Sequence, residues 1–401
     1  MRKIIVTRAT AGALQALRRG EGSPDEHGEV TMSSTPLRFA VAAAVAAGLL
    51  LATSVPPALA AARVTAASAQ LEAVAAVSTS DAWAVGSVIE HWNGRKWSVV
   101  PGASTGNCAV FLNGVAAQSA SSAWAVGYCG TSGAHRPIIE HWNGHQWSVQ
   151  PSPVTPASSV SQLNSVTATS GSNAWAVGEY QSNGQTIPLI ERWNGQAWKI
   201  QASPDPSPQG AELAGVTALS ANSAWAVGTV LGASQSQSQS LIEDWNGLSW
   251  QIQPSVSPGG QNFLVGVTAL TGTQAWTAGL YTFGNDTGTL VEDWDGTSWQ
   301  EQTTPGPGLH IGFLGIAADS ASDAWAVGFR ASLTNPRTLA QHWNGTTWDV
   351  VPSPNPSPHP DSLQGVAVLS STYAWAVGYQ GDKTLIERWN GTAWTVQPSP
   401  N

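Results

Sequence analysis

Leu213 to Gly228 (LAGVTALSANSAWAVG) and Leu241 to Trp250 (LIEDWNGLSW) decide how this chain folds. The first stretch alternates small and branched residues to Leu219, turns over the small polar Ser220–Ser223, and resumes in an extended run ending at Gly228. The second runs into Asn246-Gly247, a pair that tolerates positive φ and marks a hairpin. A last piece, Trp250 to Gln253, is stopped by Pro254. Four short strands joined by tight turns are the expectation for this segment.

Both strings recur. A-W-A-V-G or a near copy carries Trp83, Trp124, Trp175, Trp225, Trp276, Trp325 and Trp375. I-E-x-W-N-G-x-x-W supplies Trp92 and Trp97, Trp142 and Trp147, Trp193 and Trp198, Trp245 and Trp250, Trp294 and Trp299, Trp343 and Trp348, and Trp389 and Trp394. Seven copies of three account for all 21 tryptophans. A third string, L-x-G-V-x-A, sets Val74, Val115, Val166, Val216, Val267, Ile316 and Val366 nine residues before each first Trp. A period near fifty with four strands per unit predicts an all-β, seven-bladed β-propeller with four antiparallel strands per blade. The copies span about 71–103, 112–153, 163–203, 213–255, 264–304, 313–353 and 363–401. Small residues crowd the first strand and Trp the outer ones, the taper expected of blades converging on a central channel.

The order G-V-x-A, A-W-A-V-G, I-E-x-W and then Trp followed by Pro resembles the kelch repeat of kelch and galactose-oxidase-like propellers, from Leu71 to Pro400. One glycine stands where kelch has a pair, and Trp92 and its equivalents stand where kelch has Tyr. The Asp-box of sialidase-type propellers is a weaker match, because its Ser and Asp are missing. The resemblance implies two functional classes, a binding scaffold and an extracellular oxidase or glycoside hydrolase.

Composition narrows these. Charged residues make up 10 % of the chain, and cutting after Ala60 leaves ten Lys/Arg against twenty-one Asp/Glu, a net charge of −11. Nucleic acid is excluded as a partner, since no basic surface exists to neutralise phosphates. Arg38, the apolar run Phe39–Ala52 and the A-x-A pattern Ala58-Leu59-Ala60 read as a bacterial signal peptide over 32–60, with a short segment 61–70 after it. Met32 is the only other methionine, so residues 1–31 read as an upstream extension before the true start. The expected product is secreted or held at the cell surface, monomeric, and without a membrane span after cleavage.

The distance from first to second Trp varies as 9, 18, 18, 20, 18, 18 and 14, while second to third is always five. Insertions therefore fall between strands two and three, on the face shared with the Ser/Pro-rich link from strand four to the next blade. Variable segments on a rigid scaffold are where binding usually sits. That face carries Tyr128, Arg136, Tyr180, Tyr281, Arg330 and Arg337, the candidate ligand contacts for an extracellular glycan or protein. Loops are longest in copies two to six, so the binding rim should be low at copies one and seven.

The recurring Glu (Glu90, Glu140, Glu191, Glu243, Glu292 and Glu387, with Gln341 in copy six) invites a catalytic reading, but equal positions in separate blades lie far apart. A two-residue Asn-Gly hairpin sets Glu90 across from Trp97, as an acceptor for a buried indole N–H or a backbone donor. Trp83, Trp92, Trp97, Trp225, Trp245, Trp250, Glu90 and Glu243 are accordingly structural. No H-x-x-x-H pair, G-x-S-x-G or P-loop appears, so no metal, catalytic residue or cofactor is assigned, and binding is favoured over catalysis. Cys108 and Cys129 are the only cysteines and, in an exported chain, are expected to be disulfide-bonded.

Overall fold

Each copy folds into one antiparallel sheet whose four strands lie in chain order. The computed structural model describes residues 69–106, 108–131, 134–153, 160–204, 206–232, 237–284, 286–306, 310–330 and 336–400. The expected start at Met32, the signal peptide of 32–60 and most of 61–70 lie outside the described residues. Within them, twenty-eight strands form seven blades, from Leu71–Ser78 as the first strand of blade one to Trp394–Val396 as the last of blade seven.

The first strands of neighbouring blades pack on one another around the axis. Their glycines permit this approach: a Cβ on Gly114 would lie 2.9 Å from Ser165 Cα, and one on Gly365 would lie 3.0 Å from Ala73 Cα. The glycine ending A-W-A-V-G answers a second constraint. The first strand is bulged after its leucine, so a Cβ on Gly178 would lie 2.1 Å from the Gln162 carbonyl oxygen. The small residues of the repeat are thus dictated by backbone proximity.

No blade has a core of its own. Each of seven hydrophobic clusters draws on two adjacent blades. The first Trp of one blade packs on the second and third Trp of the next. Trp175, fully buried, lies 5.0 Å from Trp245 and 5.1 Å, edge to face, from Trp250. Trp375 of blade seven meets Trp92 and Trp97 of blade one at 5.1 and 5.0 Å and closes the ring the same way. Each such Trp buries on the order of 200 Å², worth several kcal/mol at about 25 cal/mol per Å².

Three expectations are corrected. The link between strands three and four has four residues, so Trp92 pairs with Trp97 and Glu90 with Val99. The Asn93 side chain is the reason: its Oδ1 accepts from the N–H groups of Arg95 (3.0 Å) and Lys96 (3.1 Å), with Gly94 at φ 86°. Of the two donors expected for the recurring Glu, no indole N–H is bonded to it among the described residues, while a backbone N–H is, at Glu140 and Glu292. The second Trp of every blade donates instead to a carbonyl in its own blade's first turn, as Trp92 does to Thr79 O (3.0 Å). Each Glu reaches the link arriving from the preceding blade: Ser152 Oγ donates to Glu191 (2.7 Å), Ser203 to Glu243 (2.8 Å), Ser255 to Glu292 (2.9 Å) and Ser353 to Glu387 (2.9 Å). Glu140 accepts from Ala103 N (2.9 Å), and Gln341 donates to Pro305 O (2.9 Å). Ser399 donates to Glu90 (2.8 Å), so the C-terminal strand's exit repeats the same latch across the ring closure.

The third correction concerns the variable segments. In blades two, three and five the added residues lengthen strands two and three rather than a loop. Blade three runs Asn173–Ser182 and Gln185–Trp193 around Asn183-Gly184, whereas blade one has only Asp81–Gly86 and Ile89–Trp92. A two-residue turn with both φ values positive matches the twist of the strands and lets the ladder continue.

Candidate functional site at the channel mouth

The residues that break the repeat most sharply lie on the first two strands. After the first-strand leucine (Phe313 in blade six) stand Glu72, Asn113, Asn164, Ala214, Val265, Leu314 and Gln364 in blades one to seven. After the A-W-A-V-G glycine stand Ser87, Tyr128, Glu179, Thr229, Leu280, Phe329 and Tyr379. The two rows adjoin where strands one and two pair beside the channel. Blades seven through four contribute mainly polar side chains there, and blades five and six contribute apolar ones.

Two hydrogen-bonded groups occupy the polar arc. In the first, Gln70 Nε2 donates to Glu72 Oε1 (3.0 Å). Glu72 is half-buried, and desolvation pushes its carboxyl up to about 7. Its charge reaches hydroxyls on both flanks: Tyr128 is raised by burial and then by Glu72, and Tyr379 is pushed up to about 12 by burial, then by Glu72. In the second group Asn164 Nδ2 donates to Glu179 Oε2 (2.6 Å) and Leu213 O (2.9 Å), while Gln162 Nε2 donates to Asn164 Oδ1 (3.1 Å). Burial and the neighbouring Glu212 charge raise Glu179 to about 8, against the lowering effect of its Asn164 and Gln162 hydrogen bonds. Carboxyls with such values exchange protons near neutral pH and both donate and accept hydrogen bonds.

Of the contacts expected from sequence, Tyr128 alone joins this region. It stacks on Phe111 at 5.7 Å and meets His135 at 4.8 Å. Tyr180 and Tyr281 are half-buried against the clusters between blades two and three and between blades four and five. Arg136 and Arg330 are exposed, Arg330 donating to Thr338 O (3.2 Å). Arg337 donates to Ser357 O (2.6 Å) and lies 3.5 Å from buried Asp361. These six side chains do not form one cluster. The other channel-mouth residues are not among those contacts because they sit inside strands; their signal was non-repeat chemistry at two fixed repeat positions.

Cys108 and Cys129 are joined in the structure, with Cα atoms 5.6 Å apart. Among the described residues no three His, Cys, Asp or Glu side chains gather as metal ligands would, and no helix is long and apolar enough to cross a membrane.

No family model matches the chain, and no curated protein matches it by sequence. Solved structures match its fold. YCF48 bound to a D1 peptide is 15% identical with a TM-score of 0.51, over 81% of this chain and 94% of that one. The GH74 xyloglucanase from Xanthomonas campestris is 13% identical with a TM-score of 0.55, over 82% of this chain and 54% of that one. A polysaccharide lyase of family PL25, an ulvan lyase bound to -[GlcA(1-4)Rha3S]-, is 7% identical with a TM-score of 0.51, over 80% and 92%. At these identities the likeness is one of fold. The class is therefore a seven-bladed β-propeller with four antiparallel strands per blade.

Proposed function

We propose that this is an exported, kelch-like bacterial propeller that acts outside the cell as a monomer, holding a glycan or a protein segment at the mouth of its channel. The binding surface is the face carrying the strand two-to-three hairpins and the four-to-one links. One observation carries the reading: Glu72, Tyr128, Tyr379, Asn164 and Glu179 replace repeat residues along one arc, Glu72 coupling to the two tyrosines and Asn164 donating to Glu179. A scaffold selected only for packing has no need of buried carboxyls at repeat positions filled by Val, Leu and Phe in other blades. The fold neighbours include one protein bound to a peptide and one bound to a saccharide, which is compatible with either ligand class.

The test probes residues 61–401 against glycan and peptide arrays, then repeats the best ligand with Tyr379→Phe and Glu179→Gln. Affinity should fall at least tenfold in one or both variants. Binding that survives both, but is lost on substituting the Asn-Gly turns of the opposite face, overturns the choice of face.

The coupling of Glu179 to Glu212 supports a second reading, an enzyme of glycan-active type on the same face. A carboxyl titrating at about 8 is protonated at neutral pH and suits general-acid work. Turnover of a bound glycan that Glu179→Gln abolishes, with affinity kept within a few-fold, distinguishes it from binding alone.

A further inference from the structure

On the opposite face, between blades three and four, lies a cavity of about 520 Å³ lined by Ser170, Ser172, Asn173, Arg192, Asn194 and Ser220 among others. Arg192 is the one charged group in its wall. The guanidinium is fixed in place: it lies 4.7 Å over Trp175 and 5.4 Å from the Trp245 ring. Its Nε and Nη2 donate to Asn173 Oδ1 (3.3 and 3.2 Å), and Nη2 also donates to Ala221 O (2.8 Å). None of these bonds uses Nη1. Every acceptor is neutral, and among the described residues Arg192 belongs to no ion pair. Burial lowers its pKa, with no neighbouring charge contributing.

The other blades treat the same two positions differently. In blades one and six the strand-three residue is a histidine bonded to a carboxylate, His91 to Asp81 (2.8 Å) and His342 to Asp323 (2.5 Å). In blade seven the strand-three residue is again an arginine, but Tyr373 replaces Asn173. Its ring lies 5.6 Å from the Arg388 guanidinium, and its hydroxyl spans the groove to Thr79 O of blade one (3.0 Å). Blade three alone combines a fixed guanidinium, a short neutral neighbour and open space in front.

We infer that this groove is a second ligand site, taking the carboxylate of an acidic saccharide on Arg192. A partly buried guanidinium without a counterion is an incomplete arrangement, and its planar donors match a carboxylate. The remaining wall sets hydroxyl and amide groups beside the apolar Leu219 and Ala221, suited to the hydroxyls and the apolar ring face of a sugar, and the volume falls in the range of small-ligand clefts.

The experiment titrates the full exported chain with a galacturonic acid trimer, its methyl ester, a sulfated galactose trimer and a glutamate-rich peptide. The uronate should bind, and the ester, which removes the charge and caps one carboxylate oxygen with a methyl, should bind at least tenfold more weakly. Arg192→Gln should cost at least tenfold. Asn173→Tyr, which places blade seven's own groove-filling side chain here and so is compatible with the fold, should abolish binding. Arg388→Gln should leave it unchanged. No uronate binding by the unmodified chain, or binding indifferent to both Arg192→Gln and Asn173→Tyr, overturns the site. Tighter binding of the sulfated sugar or the peptide overturns the carboxylated-saccharide assignment. Because this groove lies on the face opposite the channel mouth, Tyr379→Phe and Glu179→Gln should not affect it, so the two readings fail separately.

Discussion

Six of the seven blade junctions share a device that the junction between blades one and two lacks. At the six, the start of one blade's first strand is tied by backbone to the tall hairpin of the blade before it. His135 bridges Val160, Thr186 bridges Gly210, and Asn262 N donates to Ser238 O (3.0 Å). Ile311 N donates to Thr287 O (3.2 Å), Asp361 N to Pro336 O (3.0 Å) and, across the ring closure, Ala69 N to Asp382 O (2.9 Å). Blade one turns at Ser87-Val88, too early to reach blade two, and among the described residues no such bond joins them. There the start of blade two is held by the Cys108–Cys129 bond, with Cys129 buried in the cluster shared with blade one. The bond closes within blade two, so it fixes the start of that blade's first strand without replacing the missing tie; blade one is held to blade two by the apolar cluster they share.

That comparison can be broken most forcefully at the tryptophans common to both kinds of junction. Trp225→Ala at a tied junction and Trp83→Ala at the untied one should each cost roughly 3–5 kcal/mol in urea melts. A loss below about 1 kcal/mol at either would show that indole packing is not what joins the blades.

Replacing both cysteines by serine should cost roughly 3 kcal/mol in the chain-entropy model, for residues 21 apart in sequence. Hydrogen exchange should then quicken first along the first strand of blade two (Val110–Ser119), with other blades little changed. Uniform acceleration around the ring, or two alkylatable thiols in the untreated protein, would remove the disulfide from this role.

The Glu latches make a smaller contribution at six junctions, Gln341 standing in at the seventh. Burial pushes Glu191, Glu243 and Glu292 up to about 7 and Glu387 to about 8. A carboxyl whose pKa is raised on folding favours the folded state while protonated, so stability should be full near pH 4.5 and fall as pH rises toward 8. Glu191→Gln should be near neutral at pH 5 and stabilising at pH 8 by about 1–3 kcal/mol. Glu191→Leu, leaving Ser152 without its acceptor, should lose about 1–3 kcal/mol. Melts of both variants from pH 5 to pH 8 check this; a flat profile for the unmodified chain means the latch carboxyls stay ionised.

Blade number, strand order and the buried tryptophans were legible because they rest on periodicity and side-chain size, which every copy restates. The pairing of Trp92 with Trp97 was not, since the length of the Asn93 turn depends on a side chain accepting two backbone N–H groups. The partner of Glu191 was equally hidden: Ser152 lies 39 residues earlier, in another blade. The channel-mouth groups were partly visible, as Glu72 and Glu179 are the only carboxyls at two positions that the other blades fill with amide, hydroxyl, small or apolar residues.

What the sequence determined by itself is the unit: four strands, three tryptophans and the glycines that let backbones approach, repeated seven times. These are local and periodic properties, decided by which side chains suit a pleated, tapering sheet. Tertiary structure alone decided which departures from the repeat meet. Glu72 couples to Tyr379 of the last blade only because the ring closes, and Arg192 stands open because Asn173 is short where Tyr373 is long. Contacts of that kind are made between blades, and distance along the chain carries no record of them.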